Sequence, residues 1–571
     1  MNHRYIALSI DPVFGTIATA RSTKALWTAS YLFSWIMREI LLQLRSTAGV
    51  TVLNLPDNDA FFDDSPKGVG LFSDRVTARI SPETPLKMPT IVQGIIEMLA
   101  TEICKDLNKE RIQKFQNGKK QVPVPAYQVA EMYDFLRHYL SVHCIEFELD
   151  AADKNPVKTA DDLLNSLELQ AAIVPAQQRD GLSVFLEDLF FNFFIRKEFG
   201  ADAGFPSTLE IATTSFARHH KDNYAAAVKT LRALDIDPDA PEAQKKQEDF
   251  IQTVRNINKD RFKLCHKYIA IVCADGDNMG HLFKTLLQHD DPTLVQQLAN
   301  GLADFSLEAT KAIKSFGGTP VYAGGDDLLF FAPVSVEEFF IDTWKRRNVF
   351  HLLDTLDGLF ETYILKNIAK NDEIWAIINA KRPSMSYGVS ISHHKYPLAE
   401  SLKNAQTLLY QQIKAHNNRN GIAWQITKHS GMGFGVVSKK DDTVHKIFRE
   451  LLAVERKAEE QKDTFLASVM YKLDALEGLF SATKDAPRQH FEHIIFNNFN
   501  ESVHRVNLEK DGKKQMELSP FLKKVTALLI ACVEDNAPQG KDKTPFNFNK
   551  KLDRAYAALR FVHFLETDDK A

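Results

Sequence analysis

A four-residue run, Gly324-Gly325-Asp326-Asp327, constrains this chain more than any other feature. It lies within Thr319-Pro-Val-Tyr-Ala-Gly-Gly-Asp-Asp-Leu-Leu-Phe-Phe-Ala-Pro333, where two apolar runs flank a glycine pair and two carboxylates. The pattern predicts a β-hairpin with negative charge at its tip: glycine supplies positive φ or close backbone approach, and the flanks pack as strands. Adjacent carboxylates repel, which implies a cation. A second acidic turn, Ala274-Asp275-Gly276-Asp277, ends the apolar run Tyr268-Ile-Ala-Ile-Val-Cys273. If the two strands are neighbours, Asp275 meets Asp326 and Asp327 at one end of a sheet. Such an oxygen-rich cluster suits Mg²⁺ or Mn²⁺ and a nucleoside triphosphate.

The 571 residues predict several domains. A net charge of −4 excludes the basic excess of an autonomous nucleic-acid binder, so RNA contact needs local patches or a partner. The cysteines, at 104, 144, 265, 273 and 532, form no Cys-x-x-Cys pair, which argues against a zinc ribbon or a disulfide framework and fits a reducing cytoplasm. A strand at Tyr5–Ile10 stands where a signal peptide would lie. The apolar stretches Val184–Ile195 and Val525–Val533 are too short to span a bilayer, so no membrane partner is expected.

The opening reads strand, loop, helix, with Ala25–Leu44 carrying a wide apolar face. Further strands are expected in 51–80 and near Ser81–Ile91. Residues 92–235 read mainly helical, and 238–247 as a polar, proline-bearing connector. Residues 262–430 alternate strands (268–274, 319–323, 328–332, 385–391, 421–426) with helices (279–288, 293–316, 335–370, 398–416). This order predicts a four-stranded antiparallel sheet with helices on one face, a ferredoxin-like palm. From 440 onward the chain reads helical, with an exposed loop at 537–545. The fold class is therefore α+β: two ferredoxin-like palms with a helical insert and a helical C-terminal domain. The expected boundaries are 1–110 (a degenerate first palm), 111–260 (insert), 261–432 (second palm) and 433–571.

Asp275-Gly-Asp-Asn-Met-Gly280, Gly324-Gly-Asp-Asp327 and Ser386-Tyr-Gly-Val-Ser-Ile-Ser-His-His-Lys-Tyr-Pro397 together resemble the palm/cyclase domain of the large subunit of type III CRISPR effector complexes. The opening Asp11–Ser30 and Phe205-Pro-Ser-Thr-Leu-Glu-Ile-Ala212 resemble its type III-B (Cmr) branch. The resemblance covers most of residues 1–430. It implies an ATP-using nucleotidyltransferase with two metal ions, making a nucleotide second messenger, ordinarily cyclic oligoadenylate. Carried over, Asp275, the Gly276 carbonyl, Asp326 and Asp327 bind metal, and the three aspartates are catalytic. Asp277 ranks below them, expected to point away. Gly324 and Gly325 admit the nucleotide backbone, Ser386 and Gly388 lie where a base or ribose rests, Lys414 contacts the triphosphate, and Arg419 is a weaker candidate. The implied partners are other Cmr-type subunits, guide RNA and target RNA.

Three departures from the family pattern alter that expectation. The palm starts at residue 5, so no histidine–aspartate nuclease domain is expected; His289-Asp290 reads as coincidence. The four-cysteine zinc module is lacking. Where relatives read Asn-Arg, this chain has Gly70-Leu-Phe-Ser-Asp74-Arg75. Some relatives join AMP to S-adenosylmethionine, whose ammonium and sulfonium an aspartate would attract. Asp74, with Glu146 or Glu148, is the candidate receptor, and S-adenosylmethionine stays open as a cosubstrate. A catalytically silent scaffold and a stand-alone dinucleotide cyclase are the competing classes. The bland readings of other pairs are preferred: His393-His394 points to opposite faces of a strand, His219-His220 is a polar helix face, and Lys119-Lys120 is a solvated loop.

Overall fold

A computed structural model describes residues 2–569, apart from 54, 58, 64, 220, 341–342, 377, 380, 429–430, 511–512 and the segments 117–126, 151–154, 170–190, 201–203, 233–240, 289–291, 369–374, 416–418, 455–462, 483–487 and 535–551. Lys119-Lys120, His289-Asp290, the 537–545 loop and most of the expected 182–194 helix lie outside the described residues.

Two sheets organise the chain. The first comprises β1 (Asn2–Asp11), β2 (Val50–Val52), β3 (Arg75–Ile80) and β4 (Ser141–Asp150), in the order β2-β3-β1-β4 and antiparallel throughout. Alternation along β1 gives it two faces. Ile6, Leu8 and Ile10 join the main core with the helix Thr23–Ser46, whereas Ala7 meets Ala160 and Leu164 of the helix Pro156–Glu168. Ser22 caps the Thr23–Ser46 helix, its side chain accepting from the Ala25 amide.

The second sheet contains β5 (Tyr268–Asp277), β6 (Thr319–Gly324), β7 (Asp327–Pro333), β10 (Ser384–His393), β11 (Gly421–Thr427) and β12 (Gly433–Lys439), in the order β12-β11-β10-β5-β7-β6. The intervening β8 (Ser335–Phe340) and β9 (Thr343–Asn348) form a separate hairpin, as do β13 (Arg505–Lys510) and β14 (Lys513–Leu518). The α+β, two-palm class therefore holds, and the details differ from expectation. The second sheet has six strands, not four, and is mixed, because β10 and β11 run parallel. Helices cover both of its faces. Tyr387 bonds through its hydroxyl to Asp357 on the Val349–Phe360 helix, while its neighbour Gly388 lies against Ala405 and Leu409 on the other side.

Other segments also depart from the sequence reading. A helix, Met88–Gln116, starts within the expected strand near 81–91. β4 lies inside the expected helical stretch 92–235 and past the 1–110 boundary, yet it completes the first sheet. The β8–β9 hairpin precedes the helices expected over 335–370, and β13–β14 interrupts the expected helical tail. Residues 241–247 of the expected connector are helical, the start of a helix that runs Pro241–Ile257. The His393 and His394 rings are 4.4 Å apart, because His394 falls beyond the strand end where alternation no longer applies.

The two sheets meet at a β-bridge. Gly70 of the first palm runs parallel to Tyr322 on edge strand β6, its amide donating to the Val321 carbonyl at 3.3 Å and its carbonyl accepting from the Ala323 amide at 2.8 Å. The C-terminal helix Asp553–Glu566 docks on the second palm through Phe561, whose ring lies 5.1 Å from Phe350 and 5.2 Å from Trp424.

Candidate active site

The β6–β7 hairpin closes in the tightest possible way. Gly324 pairs with Asp327, leaving Gly325-Asp326 as a two-residue turn, and Gly325 has φ +67°, the glycine-first pattern of a II′ turn. Gly276, at the end of β5, is needed for another reason: a Cβ there would lie 2.4 Å from Asp326 Oδ2 and 2.7 Å from Asp326 Cβ. The turn therefore presses its first carboxylate onto the β5 backbone. The last ladder pair, Ala274–Leu328, places Asp327 across from Asp275 one step on. Burial raises the pKa of Asp326, Asp327 and Asp275; the negative charge of Asp275 adds to it at Asp326, and that of Asp326 and Asp275 at Asp327. At Asp275 the Lys414 ammonium opposes the rise.

Lys414 enters from the helix Leu398–Gln406, which widens into a π-helical stretch over Thr407–Lys414. Its Nζ lies 2.7 Å from Asp275 Oδ2 and 3.3 Å from Asp277 Oδ1, and donates to the Gly276 carbonyl at 2.9 Å. Asp277 does not point away. Residues two apart on a strand share a face, so Asp275 and Asp277 both meet the same ammonium. Among the described residues, no three His, Cys, Asp or Glu side chains converge as a ligand set; the ammonium is the cation nearest the β5 carboxylates.

Tyr410, four residues before Lys414, is 43% exposed, and its pKa is raised by burial and then by Asp327 and Asp275. Tyr322 is raised by burial, then by Asp327 and Asp74. The Gly70 bridge thus carries half-buried Asp74 of the first palm into the electrostatic neighbourhood of the second palm's hairpin, and Asp74 also raises Asp327.

Residues 268–423 match the family described as Cas10/Cmr2, second palm domain, and residues 5–122 that described as CRISPR-associated protein Cmr2, N-terminal. Those two stretches belong to the Cas10/Cmr2 family. It is similar to the CRISPR system Cmr subunit Cmr2 of Pyrococcus furiosus, 24% identical over 187 residues that cover 29% of this chain and 19% of that protein. The match thus spans about a fifth of that relative's length. Two cryo-EM structures of type III-B Cmr-beta share the fold over 93% of this chain. The apo state gives a TM-score of 0.56 at 10% identity over 81% of the matched chain. The state bound to cognate target RNA gives 0.55 at 11% over 83%.

Within the Cas10/Cmr2 palm the structure gathers Asp275, Gly276, Gly324, Gly325, Asp326, Asp327 and Lys414 at one sheet end, with Asp74 at the margin. Two expected ligand contacts are not available. Ser386 is fully buried and donates its hydroxyl to Asp277 Oδ2 at 2.7 Å, so it faces the sheet rather than a base or ribose. Gly388 is covered by the helix, since a Cβ there would lie 2.2 Å from the Ala405 carbonyl oxygen. Glu146 and Glu148 sit five and seven residues along β4 from Ser141, which pairs with Asp11 at the site end. At ~3.4 Å per residue that is roughly 17–24 Å away, and Glu146 pairs with Arg4 at 2.8 Å. Arg419 is exposed and bonded to Asn278. Sequence reasoning missed Tyr410 and Tyr322. The helical i, i+4 spacing to Lys414 would have found the first, and the parity of β6 beside Gly324 the second.

Proposed function

We propose that the second palm is a metal-dependent ATP nucleotidyltransferase that makes a nucleotide second messenger, cyclic oligoadenylate in the leading reading. It would work in the cytoplasm with other Cmr-type subunits and guide RNA, and be switched on by target RNA. The observation that carries this is that Asp275, Asp326 and Asp327 share one sheet end, close enough for the charge of Asp275 to raise the pKa of the other two, with Lys414 held on Asp275. The donor set fits Mg²⁺ or Mn²⁺: every available donor is a carboxylate or carbonyl oxygen, and the raised pKa values reflect burial and a negative field that divalent cations would relieve. Asp275, Asp326, Asp327 and the Gly276 carbonyl would hold two ions. When bound, such ions activate a ribose hydroxyl and offset charge on the transferring phosphoryl group. The chain's own parts do the rest. Gly324 and Gly325 keep side chains out of the nucleotide's path. Lys414 supplies a point charge for phosphate oxygens at the Asp275–Gly276 edge of the site.

A second reading, AMP joined to S-adenosylmethionine, is favoured by the position of Asp74. A carboxylate brought beside Tyr322 and Asp327 from the other palm offers a cationic acceptor a partner. The test is incubation of the assembled complex with guide RNA, target RNA, Mn²⁺ and labelled ATP, with and without S-adenosylmethionine, read by mass spectrometry. Cyclic adenylates without the cosubstrate support the first reading. A product that needs the cosubstrate supports the second. If neither forms and D326A/D327A changes nothing, the chain is a scaffold.

A further inference from the structure

We propose that Asp277 is a positioning residue that fixes the Lys414 ammonium at the Asp275–Gly276 edge of the site. This rests on the nucleotidyltransferase reading above and names the residue on which its cationic arm depends.

The Asp277 side chain is fully buried, on the same strand face as Asp275. A buried carboxylate needs donors for both oxygens. Oδ2 accepts three: the Ser384 hydroxyl at 2.8 Å, the Ser386 hydroxyl at 2.7 Å and the Asn420 amide at 2.8 Å. Ser384 is its direct cross-strand partner on β10, and Ser386 the diagonal one. Asn420 adopts φ +59° at the entry to β11, which turns its amide inward, and Ser386 also accepts from the Gly421 amide at 3.3 Å. The Asp277 carboxylate is thereby locked by three neutral donors, two on β10 and one at the entry to β11. Its other oxygen, Oδ1, accepts none of these bonds and faces Lys414 Nζ at 3.3 Å. A lysine head on a four-carbon stem has many positions open to it. A fixed negative charge behind it, with Asp275 and the Gly276 carbonyl in front, reduces these to one. The clamp also explains why Ser386 is a serine: it holds Asp277 and touches no ligand.

The rival role is purely structural, a staple joining β5, β10 and the start of β11. Asp277→Asn separates the two. An amide oxygen can keep accepting from Ser384, Ser386 and Asn420, while its NH₂ turns a donor toward an ammonium and removes the attraction. In the assembled complex with target RNA and Mg²⁺, D277N is expected to fold with little loss of melting temperature. It should weaken binding of a non-hydrolysable ATP analogue about tenfold by calorimetry and raise the KM for ATP by a similar factor. Lys414→Met should do the same, and the double variant should be no worse than K414M alone, because both act through one ammonium. The proposal is overturned if D277N leaves analogue affinity unchanged while K414M lowers it, or if the two losses add in full. Should D277N not assemble, Ser384→Ala, which frees one edge of the clamp and keeps the charge, is expected to raise KM a few-fold, and an unchanged KM overturns the proposal. A wild-type complex that neither turns over ATP nor binds the analogue would instead remove the nucleotidyltransferase reading itself.

Discussion

The two palms share a strand plan, and their matching ends are wired with opposite charges. In both, the first strand lies between its later partners: β2-β3-β1-β4 in one and β6-β7-β5-β10 in the other. The ladders allow position-by-position comparison. Asp11 pairs with Ser141, the first residue of β4, as Asp277 pairs with Ser384, the first of β10. Arg75 opens β3 opposite Ser9, as Asp327 opens β7 across from Asp275. Asp74-Arg75 thus stands where the second palm has Asp326-Asp327, and Ser9 where it has Asp275. The helix that follows ends in Glu168 on one side and Lys414 on the other. Arg75 bonds to Glu168 at 2.6 Å and lies 3.5 Å from Asp161, whereas Lys414 lies 2.7 Å from Asp275. In the first palm the cation sits on the strand and the carboxylate on the helix, and Arg75 and Glu168 cancel as a pair, with Asp11, Asp74 and Asp161 around them. In the second, carboxylates crowd the hairpin and the Lys414 ammonium lies beside them. Only the second sets adjacent carboxylates on the strand turn itself, where a further cation can meet them.

The largest expected effect comes from writing the first palm's residue into the second. Asp327→Arg should abolish messenger synthesis, with a loss on the order of 10³-fold in kcat/KM, measured by product mass spectrometry on the assembled complex. Activity within tenfold of wild type would mean that a carboxylate at this position is not needed. Gly276→Ala is a milder break. The added Cβ would fall 2.4 Å from Asp326 Oδ2, so that carboxylate must move. A displacement of about 1 Å at a reacting centre can cost ~10²-fold, and kcat should fall by roughly 10–10² while the complex still assembles. An unchanged kcat would show that the position of Asp326 is not limiting.

What could be read from the chain and what could not divides along the range of the physics. Asp275, Gly276, Gly324, Gly325, Asp326 and Asp327 were legible because a turn and a strand end are local, and one pairing of neighbouring strands brings them together. Asp277 was legible in principle, since strand alternation puts it on the face of Asp275, but the intervening glycine drew attention to spacing instead of parity. Ser386 and Gly388 were misassigned because a strand sequence does not say which face a later helix covers. Here the Leu398–Gln406 helix and its π-helical continuation lie directly on Gly388. β4 was hidden by its place in the sheet: as an edge strand, partly exposed along its length, Ser-Val-His-Cys-Ile-Glu-Phe-Glu-Leu-Asp lacks the apolar run of β5. β8 and β9 form a hairpin apart from either sheet, and so escaped a pattern search built on the palm.

Acid should loosen the second palm around two buried histidines, while protonation of Asp326 and Asp327, whose folded pKa values are raised, works the other way at the hairpin. His266, just ahead of β5, is held neutral by burial and by Arg346, with its pKa pushed down to about 3. His445, packed on β12 through Ser438 at 3.2 Å, is pushed down to about 4 by burial and by Arg449. Both folded values lie below the ordinary value of 6.5. As pH falls through 6.5 the unfolded chain therefore takes up protons that the fold refuses, and stability drops by about 1.4 kcal/mol per pH unit for each histidine. The loss continues until the folded pKa is reached. Hydrogen exchange between pH 7 and 5 should show protection falling first in β5, β10 and β12. Equal loss in β1 and β3 would contradict this difference between the palms.

The smallest effect probes the cancelled charges themselves. Arg75 and its carboxylate partners are partly exposed, with side chains 30% accessible for Arg75, 23% for Glu168 and 47% for Asp161. Water screens such pairs, so Arg75→Ala should cost ~1 kcal/mol or less, read as a small shift in denaturant midpoint at constant slope. The same substitution leaves Asp11, Asp74, Asp161 and Glu168 without the Arg75 cation, and the charge of Glu168 already raises the pKa of Asp11, Asp74 and Asp161. R75A should therefore turn the first palm's end into a weak copy of the second, destabilised by self-repulsion and rescued by millimolar Mg²⁺. If Mg²⁺ restores the midpoint of R75A and leaves wild type unmoved, charge arrangement alone separates the two palms. If it does not, the second palm's geometry, with Gly276 and the two-residue turn, matters as much as its charge.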